Sequence, residues 1–110
     1  MSTNKKWLNL SSEKTLEPDL PICDPHHHFW EFRYDRVADR YLMEDIQADV
    51  GAGHNIVSTV FIECGSMYRA CGPEEMRPVG ETEFVNGIAA MSASGLYGKT
   101  RIAAGIVGQA

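Results

Sequence analysis

Long apolar runs are missing from this chain of 110 residues. None approaches the roughly 18 residues that a transmembrane helix needs, so no membrane association is expected. The opening stretch, MSTNKKWLNLSSEKTLEPDLP, has no uninterrupted apolar segment of the kind a secretory signal carries. Basic clusters are also lacking. Ten Lys and Arg stand against fifteen Asp and Glu, a formal charge of −5, whereas nucleic-acid phosphates demand concentrated Lys and Arg. Nucleic acid is therefore not an expected partner. Cysteine is scarce, odd in number and scattered (Cys23, Cys64, Cys71), which fits reduced thiols in the cytoplasm better than a disulfide framework. No Gly/Ser linker, internal repeat or low-complexity tract divides the chain, and the length allows one domain at most. What remains, 44% hydrophobic and 23% charged, is the balance of an ordinary globular protein.

Residues 1–19 are mostly polar and read as an extended N-terminal arm, with Trp7, Leu8 and Leu10 available to dock on a surface. From residue 20 to 110 the pattern is regular. Leu20 to Asp24 is a short apolar run read as a first strand, with Pro21 and Pro25 awkward at its ends because proline removes a ladder donor. Tyr41 to Val50 places Leu42, Met43, Ile46 and Val50 on one helix face, and Gly51 and Gly53 supply the stop. Ile56 to Ile62 is β-branched and almost continuously apolar, the pattern of a strand buried on both faces. A long loop from Glu63 to about Pro78 follows. Glu81 to Met91 is a second helix with Phe84, Val85, Ile88 and Met91 on one side, ended by Gly95 and Gly98. Ile102 to Val107 is a third strand. Strands alternating with helices predict an α/β fold with parallel strands joined by right-handed crossovers.

Chemistry concentrates at the end of the first strand, in Asp24-Pro25-His26-His27-His28-Phe29-Trp30. In extended chain, alternate side chains share a face, so His26 and His28 project together, Cα atoms about 6.5 Å apart, while His27 points away. Two imidazoles so placed converge on one ion, and imidazole suits Zn, Fe and Ni. Asp24 has the same parity and would orient a ligand from behind, as carboxylates commonly do. Three adjacent histidines are also the composition of a surface tract or a tag remnant, although a tag would not usually sit between a strand and Phe-Trp.

Glu63 and Cys64 close the second strand, where α/β folds place binding groups. Glu63 is a candidate for substrate contact or for hydrogen bonding to the histidine cluster, with a solvent-facing loop carboxylate as the plainer reading. Cys64 reads as a buried, inert thiol. Tyr68 and Arg69 lie in the long loop. Arg69 has the shape to clamp a substrate carboxylate, while an exposed arginine is usually only exposed. Gln109 faces the strand ends if the register is favourable, and His54 reads as a turn residue at the opposite end.

With these residues in hand, the sequence from about Leu20 onward resembles the beginning of a member of the amidohydrolase superfamily, in its amidohydrolase-related branch. The resemblance rests on Ile22-Cys23-Asp24-Pro25-His26-His27-His28-Phe29-Trp30, on Tyr41-Leu42, on Thr59-Val60-Phe61-Ile62-Glu63 and on Ala104-Gly105-Ile106-Val107-Gly108. It implies a partial (β/α)8 TIM barrel, the first three strands and two helices, with the site at the C-terminal strand ends. His26 and His28 carry over as metal ligands; His27 does not. The implied cofactor is a divalent metal, Zn first, weakly held or absent in lactonase-like members. The implied partner is a small carboxylated or cyclic substrate whose C–O (lactone) or C–N bond is cleaved by metal-activated water. Such barrels take about 250 residues, so the chain is expected to be an amino-terminal fragment, inactive alone. The remaining ligands and the general base would then lie beyond residue 110, in a full-length protein free to form homo-oligomers. A decarboxylase on the same barrel and a non-catalytic truncated product are the alternatives.

Overall fold

The computed structural model describes residues 16–31 and 40–109. The expected arm lies mostly outside the described residues, and Trp7, Leu8 and Leu10 with it. Among the described residues lie two helices and three strands: strand β1 (Pro21–His27), helix α1 (Met43–Val50), strand β2 (Asn55–Ile62), helix α2 (Val79–Ala93) and strand β3 (Arg101–Val107). A single 3-10 turn, Glu74–Met76, interrupts the loop before α2. The three strands form one parallel sheet in the order β1-β2-β3. This is a small α/β domain with consecutive strands side by side.

β1 runs three residues beyond its expected end and contains both prolines. Proline is tolerated here because β1 is at the edge of the sheet, paired among the described residues with β2 alone. The cost appears as irregular register. Asp24 pairs with Thr59 and His27 with Phe61, so β1 spends three residues where β2 spends two. A second irregularity joins β2 to β3, where Ser58 and Val60 face Arg101 and Gly105. Inside it Ala103 takes φ 53°, and its N–H, displaced from the ladder, donates to Thr59 Oγ1 at 2.8 Å.

One face of the sheet meets the helices. Phe29, Phe61, Ile102 and Ala103 pack with Met43 and Ile46 of α1 and Val85 and Ile88 of α2. Phe29 and Phe61 stack with ring centroids 5.8 Å apart. Continuous apolarity in β2 predicted burial on both faces, but burial alternates: Thr59 and Phe61 are fully buried and Val60 and Ile62 half-buried. The described helices cover the Phe61 side.

α1 starts two residues later than periodicity suggested, because Tyr41 forms an isolated bridge with Trp30. The Asp45 carboxylate accepts the Leu42 N–H at 2.9 Å and closes the first turn. α2 extends the expected helix by two residues at each end, and its inward positions are Glu81, Val85, Ile88 and Ser92. Met91, expected inside, is 37% exposed. Ser92 joins α2 to β3, donating to the Thr100 carbonyl at 3.0 Å and accepting the Ile102 N–H at 2.8 Å.

Candidate functional site

In a parallel sheet all C-terminal strand ends lie on one edge, so the segments after β1, β2 and β3 become neighbours. The irregularity after Asp24 decides what the histidines do. His27 has Phe61 as its register partner and turns into the core, 9% exposed. Its Nε2 lies 2.8 Å from Thr59 Oγ1, and its Nδ1 has no hydrogen-bond partner among the described residues. Burial lowers its pKa below the ordinary value, partly opposed by Asp24.

His26 and His28 lie on the other side with ring centroids 5.0 Å apart, edge to face. The expected juxtaposition of these two rings is present. His28 Nδ1 lies 2.7 Å from the Ile62 carbonyl oxygen. A carbonyl only accepts, so Nδ1 carries the proton and the neutral ring keeps its lone pair on Nε2. Trp30 stacks on the same ring, centroids 5.7 Å apart and planes 23° off parallel. Among the described residues no group of three or more His, Cys, Asp or Glu side chains is placed to hold a metal. The two imidazoles are thus a pair rather than a complete ligand set.

Asp24 does not follow the parity of His26 and His28. Its register partner is Thr59, on the face that His27 shares, and its Oδ1 accepts the His26 main-chain N–H at 3.2 Å. It shapes the turn that delivers the pair.

After β2, the Glu63 N–H donates to the Val107 carbonyl at 2.9 Å, extending the ladder one residue past the end of β2. The Tyr68 hydroxyl donates to Gln109 Oε1, so the loop reaches across to the end of β3 and Gln109 does face the strand ends. Slight desolvation, then the Glu81 and Glu63 carboxylates, raise the Tyr68 pKa. Arg69 is paired with Glu83 of α2 at 2.8 Å. His54 is exposed in the turn before β2, as expected.

Cys64 departs from the expected buried thiol. The residue is exposed, but its sulfur points inward, 3.5 Å from both the Phe29 carbonyl and Glu81 Oε2. Desolvation first, then the Glu81 carboxylate, push the thiol up to about 11.

Sequence reasoning gave Glu81 no role beyond opening the second helix. This carboxylate is 2% exposed and accepts the main-chain N–H groups of Cys64 at 3.1 Å and Ser66 at 2.6 Å. Its only trace in the sequence is an acidic residue in a first helical turn, which ordinarily complements the helix dipole in solvent. A surface cavity of about 370 Å³ between the start of α1 and Tyr97 contains none of these residues.

No family model matches the sequence, and no curated protein or solved structure does. Among the described residues no helix is long and apolar enough to cross a membrane.

Proposed function

We propose that the chain is the amino-terminal part of a metal-dependent hydrolase built on an amidohydrolase-like barrel, acting on a lactone or amide bond of a small carboxylated substrate. One observation carries this reading. His28 Nδ1 is engaged by the Ile62 carbonyl, which leaves Nε2 as the ring nitrogen available to an ion, and the His26 ring stands beside it at the end of a parallel strand. Imidazole nitrogen held by a hydrogen bond on its other nitrogen is the usual donor for Zn and related ions. His26 and His28 would hold the ion, which when bound supplies polarisation of a carbonyl and acidification of water.

The remaining roles fall to residues that bind and orient. The Ile62 carbonyl fixes the His28 tautomer, and Trp30 limits rotation of the ring. Glu63 and Tyr68 offer an acceptor and a hydroxyl at the adjoining strand ends. Arg69 is available to a substrate carboxylate because both partners in its ion pair with Glu83 are about half exposed. Such pairs are worth about 0–1 kcal/mol, so a bound carboxylate competes readily with Glu83.

The test is a Zn²⁺ titration of this chain by calorimetry, with a panel of lactones and amides assayed on a metal-loaded version extended past residue 110. The His26→Ala/His28→Ala double variant is expected to lose Zn²⁺ affinity by at least roughly tenfold, together with any turnover. His27→Gln is expected to keep both. Equal Zn²⁺ affinity in the wild type and the double variant refutes the reading.

A further inference from the structure

Glu81 is a buried carboxylate whose hydrogen-bond partners among the described residues are two main-chain amides and a thiol, with no cation beside them. Burying a charge is expensive unless hydrogen bonds replace water. Here two main-chain N–H groups and the Cys64 thiol take that part, all from the four-residue segment that leaves β2. Two neighbours on α2 grip the same loop. Gly80 lies so close beneath it that a Cβ there would stand 2.5 Å from the Met67 carbonyl oxygen and 2.7 Å from the Arg69 nitrogen. Glu83 holds the Arg69 guanidinium. The loop also closes on itself, the Arg69 N–H donating to the Arg77 carbonyl at 2.9 Å.

We propose that Glu81 is a positioning residue: from the first turn of α2 it holds the main chain at Cys64 and Ser66, and thereby sets where Glu63, Tyr68 and Arg69 stand at the strand ends. Loop amides directed at one carboxylate adopt a single path, whereas the same loop facing an amide or an alkyl group must turn those donors elsewhere. Burial first, and then the Glu81 carboxylate, keep the Cys64 thiol protonated beside the site, since a thiolate there would lose water and be repelled. Among the described residues the groups facing Cys64 are Glu81 from α2, the Phe29 carbonyl from the segment after β1, and the Ser66 amide and Tyr68 hydroxyl from its own loop. The importance of Glu63, Tyr68 and Arg69 to a substrate rests on the hydrolase reading, but the grip of Glu81 on the loop does not.

The test therefore uses neither metal nor substrate. Wild type and Glu81→Gln are alkylated with iodoacetamide over a pH series, and the three cysteines are followed separately by peptide mass mapping. Cys64 is expected to react slowest in the wild type. In Glu81→Gln it should accelerate roughly tenfold at pH 8, its pH profile moving to lower pH, since one pKa unit is a tenfold change in thiolate. Cys23 and Cys71 should keep their rates. A Cys64 rate and profile unchanged by the substitution overturn the proposal. If all three cysteines accelerate together the variant has unfolded, and the wild type then decides through hydrogen exchange. Its Cys64 and Ser66 amides are expected to exchange at least about tenfold more slowly than those of Ala70 and Cys71. Equal rates overturn the proposal as surely as an unchanged thiol.

Discussion

The imidazole of His27 has exchanged water for Phe29, Phe61 and a single hydroxyl, that of Thr59. Its neighbours in sequence, identical in chemistry, remain at the surface or half-buried. Burial holds the His27 pKa below its ordinary value of 6.5, which links this side chain to stability. As pH falls, the unfolded chain takes up its proton at the ordinary value while the folded chain still resists. The contribution of His27 is therefore intact above pH 6.5 and is lost as pH drops from there through the lowered folded value. Urea midpoints measured between pH 7.5 and 5 should fall with pH in the wild type, and fall less in His27→Gln, which keeps a group able to reach Thr59. An identical slope in both would show that other groups govern the acid limb. The pair His26 and His28 was legible in the sequence because their adjacency is local. The burial of His27 beside Thr59 was only partly so: alternation sent it to the opposite face, but nothing local specified a core there.

Helix α2 carries two glycines whose surroundings set opposite expectations for one substitution. At Gly80 an added methyl group meets backbone atoms of the loop, the Met67 carbonyl oxygen and the Arg69 nitrogen. Backbone cannot swing aside as a side chain can, so Gly80→Ala is expected to cost about 1–3 kcal/mol. At Gly87 nothing lies within 4 Å of the added atom, and Gly87→Ala should gain about 0.5–1 kcal/mol from helix propensity. Chemical denaturation of the two variants checks both signs. The same helix shows why periodicity located an apolar face and still misjudged it. Phe84, Val85 and Ile88 do meet the core, but the inward positions extend to Glu81 and Ser92 instead of Met91. A buried carboxylate or hydroxyl scores as polar in any pattern, and only partners far along the chain, Cys64 and Ser66 or Thr100 and Ile102, make its burial favourable.

At the scale of the whole molecule, the sheet has two faces and the described helices cover one. Register sets Val60 opposite Gly105 and Ile62 opposite Val107, on the side away from Phe61. Val107 is 48% exposed. Each outer strand also has only one neighbour, leaving a row of ladder groups without a strand partner among the described residues. Apolar sheet surface and open parallel edges favour association, and a net charge of −5 opposes it only weakly at physiological salt. Sedimentation velocity should show the weight-average mass rising with protein concentration. Val107→Lys should shift the distribution toward monomer; a mass independent of concentration in the wild type contradicts this account. A closed barrel, as the resemblance implies, would cover the same surface.

The sequence alone determined the order of elements, the parallel α/β class and the nearness of His26 and His28. Each of these depends on interactions within a few residues: the period of apolar side chains, β-branching, and glycine after helices. Tertiary structure decided the rest. The register step that separates Asp24 from the pair, the burial of Glu81, the inward turn of the Cys64 sulfur and the pairing of Arg69 with Glu83 all join residues from separate segments. Such choices follow from which arrangement satisfies every buried polar group in the assembled fold at once, and no window of local sequence contains that balance.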